Sequence, residues 1–399
     1  MGISSIMIFK LNNPIKHFAW GCKRSFSDLF HIDNPGRQPQ AELWMGAHRN
    51  GSSTVIHDGT ERYLIDVIDA NPSQWLGEYH EQYNSKLPFL VKILAASQPL
   101  SIQVHPNKNS AEKGFAKENA EGIAIDAPER NYKDANHKPE LVYAITPYLA
   151  MNGFRELRII HQFFSTLTLP SIATILEPFL VTPSQDSLAQ LFGAILLLDE
   201  SEKQLAVTEL LRCDVSKECA EIGEVHQLIK ELAKLYPCDA GLFAPLFLNV
   251  IELQPGEAMF LYAETPHAYL KGVGVEVMAN SDNVLRAGLT PKHIDVPELL
   301  ANTRFVSIKA CDLRMIPIKC GDRLFYPIPV DDFKFEVIND GEIIFEPKSP
   351  EIILCIDGVV EIKTCEYSVI LNKGESAFVS GSASDYTVSV QGRISRTYC

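Results

Sequence analysis

Two nine-residue stretches constrain the fold of this chain more than any other feature. Leu253-Gln-Pro-Gly-Glu-Ala-Met-Phe-Leu261 and Leu371-Asn-Lys-Gly-Glu-Ser-Ala-Phe-Val379 follow one pattern 118 residues apart: a turn carrying Gly-Glu leads into an apolar strand. One such turn says little. Two of them in β-rich surroundings predict two related β-barrels. Asp340-Gly341 and Asp357-Gly358 add hairpin turns to the second copy. At the same offset His267 of the first copy corresponds to Asp385 of the second. The second barrel is therefore expected to have lost whatever chemistry the first retains.

Between the β-rich ends the periodicity changes. Residues 87–105 read as two short strands broken around Ser97–Pro99. Further on, Thr182-Pro183-Ser184-Gln185 has the form of a capping box with Pro at the first helical position. Leu188, Leu191, Phe192, Ile195 and Leu196 follow at helix spacing. Ser201-Glu202-Lys203-Gln204 repeats the capping signal, and Val225, Leu228, Ile229, Leu232 and Leu235 give another amphipathic face. The expected organisation is mainly β with a helical insertion. Residues 1–155 form the first part of a barrel, 156–240 the insertion, 241–310 the rest of that barrel, and 311–399 a C-terminal barrel without metal ligands.

The formal net charge is −14. That argues against nucleic acid or an anionic membrane as partner, because both need a basic face. Residues 156–240 hold 6 Lys+Arg against 13 Asp+Glu, so half of the excess lies in the insertion. No apolar run approaches the ~20 residues of a membrane span; the longest lie within Leu191–Leu198 and Ala240–Ile251. The start has no basic residue before Lys10 and no cleavage site after an apolar stretch, so no signal peptide is expected. Met1-Gly2 lacks the Ser or Thr that a myristoylation motif wants at position six, where Ile6 stands. Nine scattered cysteines, never spaced Cys-x-x-Cys, read as reduced thiols of a cytoplasmic protein.

Three segments could carry chemistry. In Gln103-Val104-His105-Pro106 a strand would project Gln103 and His105 together, although alone this is better read as a backbone-bonded His at a strand end. Asn131-Tyr-Lys-Asp-Ala-Asn-His-Lys-Pro-Glu140 is dense in polar groups yet runs straight into the apolar Leu141-Val142-Tyr143-Ala144. The third segment runs from His267 to Lys292 and contains Gly272-x-Gly274, Glu276, Asp282 and Arg286. A dinucleotide reading of the glycines fails, since the third Gly is missing and no strand-to-helix transition follows. A surface salt-bridge network remains open for its charges. Two His, one Glu and one Gln can be drawn from these segments as donors, with no Cys among them. Such a set suits zinc or another borderline divalent ion with an open position.

At these residues the sequence resembles the type I mannose-6-phosphate isomerases, zinc enzymes of the cupin class. The match rests on Gln103-x-His105-Pro106, on Tyr132-x-Asp134-x-Asn136-His137-Lys138-Pro139-Glu140, and on the run from His267 to Lys292. Phe18-Ala19-Trp20-Gly21 resembles the family's Tyr-x-Trp-Gly start, with Phe for Tyr. The resemblance implies two cupin-type jelly-roll β-barrels plus an α-helical domain. It implies one zinc ion per chain on Gln103, His105, Glu140 and His267, and a catalytic Arg286. His137, Lys138, Asp282 and Glu276 fall on active-site motif positions, and Ser101 lies beside the ligands on the Gln103 face. Met151-Asn152, before Gly153-Phe154, departs from the smaller residue expected there.

The implied reaction interconverts mannose 6-phosphate and fructose 6-phosphate through a cis-enediol. Glu276 and His137 are the candidates for the base, with Asp282 and Lys138 in reserve. Lys138, followed by Lys92, Ser101 and Lys108, is the candidate phosphate contact. A small phosphosugar is the expected partner, with oligomeric state open and a monomer compatible. Two rival readings stand beside this one. A cupin oxygenase would use non-haem iron on two His and a carboxylate. A sugar-phosphate sensor would bind without turnover.

Overall fold

The computed structural model describes residues 7–399, so Met1-Gly2 and Ile6 lie outside the described residues. The architecture is mainly β with a helical insertion, and its first sheet is organised by one strand of 13 residues, His267–Ala279. The opening residues of that strand pair with Tyr148–Phe154 and, at His267, with Gln103. From Gly272 onward it pairs with Phe89–Ala96 on one side and Glu140–Ala144 on the other. The change of neighbours occurs at Gly272, where φ is +132° and an added Cβ would stand 2.7 Å from the Pro147 carbonyl oxygen. Gly272-x-Gly274 is thus a bend in a strand with close backbone packing. Phe89–Ala96 is buried at every position, as its apolar run interrupted only by Lys92 requires.

Met151 packs into the apolar core and Asn152 is also buried. The Asn152 amide donates to the Phe260 carbonyl at 3.2 Å, beside a register irregularity between Met151 and Phe154. The buried amide thereby gains a partner on the neighbouring strand Ala258–Leu261.

The middle of the chain forms helices Leu157–Thr166, Ala173–Val181, Gln185–Leu196, Glu200–Arg212 and Ala220–Ala233. The caps differ from those expected. Ser184, not Thr182, caps the third helix, because Thr182 already closes the helix before it. Asp199, not Ser201, caps the fourth: its carboxylate accepts from the Ser201 and Glu202 amides. Leu235 lies beyond the fifth helix and is exposed. The buried faces of these helices share one core with Ile102, Val104, Leu285 and Leu289. The insertion therefore packs directly behind the strands that carry Gln103 and Arg286. No helix of the described residues is long and apolar enough to cross a membrane.

The second sheet gathers Lys334–Phe345, Glu351–Lys363, Ser376–Val379 and Tyr386–Tyr398, with Ile318–Cys320, Arg323–Tyr326 and Ser368–Asn372. Ile8–Leu11, which the sequence assigns to the first barrel, instead pairs with Ser376–Val379. The first strand of the described residues thus belongs to the C-terminal sheet. The repeated turns are built alike. Glu257 accepts from the Gln254 amide and Glu375 from the Asn372 amide, both at 2.8 Å. Gly256 donates to Ala144 at 2.9 Å, as Gly374 does to Cys355 at 2.8 Å. Asp385 is exposed, just before Tyr386–Tyr398.

Inside the second barrel lies an ionic cluster. Arg396 meets Glu336 and Glu351, each at 2.6 Å, and Arg323 meets Glu336 at 2.7 Å. Both glutamates are fully buried, and the Tyr386 hydroxyl donates to Glu351. Breaking such a network strands its charges. Arg396→Met should lower the unfolding free energy by about 3–5 kcal/mol in denaturant titration; a loss under 1 kcal/mol would show that the glutamates find other partners.

Candidate metal centre and active site

Strand register brings the candidate residues together. Gln103 pairs with His267 on one side and with Arg286, on the short strand Leu285–Arg286, on the other. Glu140 opens its strand opposite Leu261 and Met278. His105, Glu140 and His267 are all buried, and their potential ligand atoms lie within 4.8 Å of one another. Among the described residues they are the one such group of His, Cys, Asp and Glu.

The tautomers are fixed from behind. His105 Nδ1 donates to the Asn283 carbonyl at 2.7 Å and His267 Nδ1 to the Thr265 carbonyl at 2.9 Å. Each Nε2 is then a bare lone pair 3.4 Å from a different Glu140 oxygen. His105 Nε2 is buried without any hydrogen-bond partner. Burial pulls the His105 imidazole down to about 4, so it stays neutral as a ligand must. Burial alone would raise Glu140, but the Lys138 ammonium beside it pulls the other way and the carboxyl is held well below its usual range. Two bare imidazole nitrogens facing one ionised carboxylate are a donor set with no cation among them, and they fit zinc. Gln103 lines the same small cavity; its Nε2 donates to Ser101 Oγ at 3.4 Å, which leaves the amide oxygen available.

The cavity, about 50 Å³, is also lined by Glu42, Lys92, Lys138, Tyr269 and Glu276. Lys138 stands 3.2 Å from Glu140, and the Tyr269 hydroxyl donates to Glu140 at 3.4 Å. Lys92 is held 2.8 Å from Glu276 and 3.8 Å from Glu42. Burial would lower Lys92, yet Glu276 and Glu42 raise it, so it remains an ammonium whose counter-ions are already in place. That surrounding argues against its expected role as a phosphate contact. Glu276 is raised by burial, with Glu140 and Glu42 adding and Lys92 opposing.

Three expected residues point elsewhere. His137 Nε2 lies 2.8 Å from Asp332 in the C-terminal part of the chain. Lys108 begins the exposed helix Lys108–Ala120 and donates to Asn136 Oδ1 at 2.9 Å. Asp282 is taken up by His48 at 3.3 Å, Arg49 at 3.2 Å and Asn50 at 2.8 Å. Burial would raise its carboxyl, but His48, Lys138 and Arg49 pull it far down. By contrast, the half-buried Arg286 guanidinium has no hydrogen bond or ion pair to any described residue, and burial lowers its pKa. Partial burial and then Arg286 depress Lys292, while Lys133 is depressed by partial burial and Arg130, with Arg286 adding less and Glu118 and Asp126 opposing.

The sequence reading gave no role to Asn283, Tyr269, Glu42 or the His48–Asn50 loop. Asn283 is fully buried: its amide donates to the Asp134 and Asn136 carbonyls at 2.8 Å each, and its side-chain oxygen accepts from the Lys133 amide at 2.7 Å. Strand alternation carried two residues past His267 reaches Tyr269, so that residue was findable. The loop contacts of Asn283 and His48–Asn50 have no periodic signal.

The family model "Phosphomannose isomerase type I, catalytic domain" matches residues 8–157, its "helical insertion domain" matches 170–248, and "Mannose-6-phosphate isomerase, cupin domain" matches 322–399. The mannose-6-phosphate isomerase of Escherichia coli is 49% identical over 394 residues, covering 98% of this chain and 99% of that protein. A crystal structure of a phosphomannose isomerase mutant from Salmonella typhimurium superposes with a TM-score of 0.93 at 46% identity, over 98% of this chain and 99% of that one. A zinc-bound mannose 6-phosphate isomerase does so at 0.92 and 47%, with the same coverage.

Asn283 both orders the 133–136 loop and presents the carbonyl that orients His105. Asn283→Ala should weaken zinc affinity about 10–100-fold, the usual effect of losing such support behind a ligand. Competition with a chelating dye measures this; an unchanged affinity would show that His105 is held without it.

Proposed function

Since the chain belongs to the type I phosphomannose isomerase family, we propose that it interconverts mannose 6-phosphate and fructose 6-phosphate with zinc held by Gln103, His105, Glu140 and His267. The observation that carries the ligand assignment is the pair of bare Nε2 atoms facing Glu140 from two positions of fixed tautomer. When bound, zinc supplies an electrophile that polarises the sugar oxygens.

The chain's own groups meet the remaining demands. Isomerisation takes a proton from C2 of the open-chain aldose as the C1 carbonyl oxygen gains one. The cis-enediol then returns a proton to C1 as the C2 hydroxyl becomes the ketone. One base can serve both carbons. Glu276 suits that role: it lines the cavity, burial raises its pKa, and Lys92 beside it keeps a counter-cation in reach. His137 and Asp282, engaged with Asp332 and with the His48–Asn50 loop, act as supports. The free Arg286 fork meets the negative charge that develops on the enediolate, where a fixed donor needs no reorganisation. Lys138, beside the ligands, and Lys292, whose ammonium Arg286 depresses, are the cations offered to the phosphate, whereas the Lys133 ammonium is bonded to the Ile125 carbonyl at 2.6 Å.

The oxygenase and sensor readings are not favoured, given relatives named as isomerases and a donor set complete with Arg286. A reducing, cytoplasmic setting suits nine unpaired cysteines.

A coupled assay from mannose 6-phosphate, with and without chelator, tests the reading: turnover should vanish on chelation and return with zinc. His105→Ala and Glu140→Ala should lose metal and activity together, and full zinc with full turnover in either would overturn the ligand assignment. Arg286→Ala should keep its zinc and lose at least about 100-fold in kcat, as removal of a charge-stabilising donor does. Near-normal turnover would remove Arg286 from the mechanism.

A further inference from the structure

We infer that Asp239, in the helical insertion, is a positioning residue for the segment that carries Arg286 and Lys292. This rests on the isomerase reading and deepens it. Asp239 caps the one-turn helix Ala240–Phe243, where its Oδ1 accepts from the Gly241 amide at 2.7 Å. The same oxygen accepts from the Leu289 amide at 2.8 Å, and Oδ2 accepts from the Thr290 amide at 3.1 Å. One carboxylate thus satisfies three backbone donors on two segments some 50 residues apart.

The clamped segment needs holding. Leu289 sits in the left-handed region with φ +52°, a conformation that a branched side chain adopts only where its surroundings dictate it. Gly288, at φ +127°, lies so near Gly241 that a Cβ on either would stand within 3 Å of the other segment's backbone. Upstream, Ala287 and Gly288 pair with Ile102, and Arg286 pairs with Gln103. Arg286 is therefore fixed by the ligand segment through its own pairing and that of its neighbours, and from Leu289 onward the insertion holds the same stretch. Because the guanidinium has no partner of its own among the described residues, its aim depends on its backbone. Small misplacements of such a group weaken catalysis strongly.

The test compares wild type, Asp239→Ala and Asp239→Asn for kcat, KM and zinc per folded chain. Asp239→Ala should lower kcat at least tenfold with zinc content unchanged. Asp239→Asn, which keeps one accepting oxygen, should recover most of that loss. If Asp239→Ala fails to fold, Gly241→Ala presses on the same segment from the other side and should give the same split. Activity within twofold of wild type in the folded variants, or a loss that simply follows zinc or folded fraction, would overturn the inference. Wild-type turnover in the same assay tests the isomerase reading separately.

Discussion

A buried carboxylate, Glu140, sets the terms for the first barrel. It lies among two imidazoles, a tyrosine hydroxyl and one ammonium. An ionised carboxyl out of water is costly unless charge and hydrogen bonds compensate it. Lys138 supplies part of that compensation, and the bare Nε2 atoms supply none. Their geometry makes sense only around a cation, and each nearby element serves to hold it open: Asn283 and Thr265 behind the imidazoles, Gln103 beside them, Lys92 neutralising the acids beneath.

The second barrel shows what happens when that demand is removed. Glu351 stands opposite Val379 as Glu140 stands opposite Leu261, and these partners are the last residues of the two repeats. A tyrosine hydroxyl donates to each carboxylate, Tyr269 to Glu140 and Tyr386 to Glu351. Around them the charges are inverted. Lys92 pairs with Glu276 as Glu336 pairs with Arg396, and Glu42 lies two residues along from Lys92 as Arg323 does from Glu336. The first set, Glu42, Lys92, Glu276 and Glu140, has a formal net charge of minus two; the corresponding second set, Arg323, Glu336, Arg396 and Glu351, has none. Adding Lys138 to the first still leaves an excess of one, and Ser349 at its counterpart adds nothing. One barrel is thus incomplete without a cation, and the other carries a guanidinium among its acids. The loss of metal chemistry in the second barrel is a change of internal charge as much as of ligands.

This inversion was only half legible in the sequence. The repeat announced two barrels because a Gly-Glu turn is a local device whose hydrogen bonds depend on its own residues. His105, Glu140 and His267, which the structure gathers into one buried group, could be picked out because each sits in a motif of short range. The ionic chains could not. Glu42, Lys92 and Glu276 lie on three strands, and only register brings them together. His137 was misleading for the same reason: a motif position says nothing of Asp332, almost two hundred residues away. The helix caps failed more modestly, since Thr182 and Ser184 compete for one role and the end of the preceding helix decides between them.

Net charge poses the last physical question, because an anionic sugar phosphate must approach a chain of −14. Screening limits exposed charges to about 8–10 Å at physiological ionic strength. The acidic excess of the insertion is spread over its helices, whose apolar faces are turned inward. Near the substrate the balance is different. Arg286 has no acidic partner among the described residues, and Lys292 is depressed by its own partial burial and by Arg286. An unpaired guanidinium held partly out of water is expensive to maintain in a folded protein, and a bound phosphate would relieve it. In the proposed reading, the positive charge that costs stability in the free protein would become binding energy for the anionic end of the substrate, leaving the neutral sugar to the metal cavity.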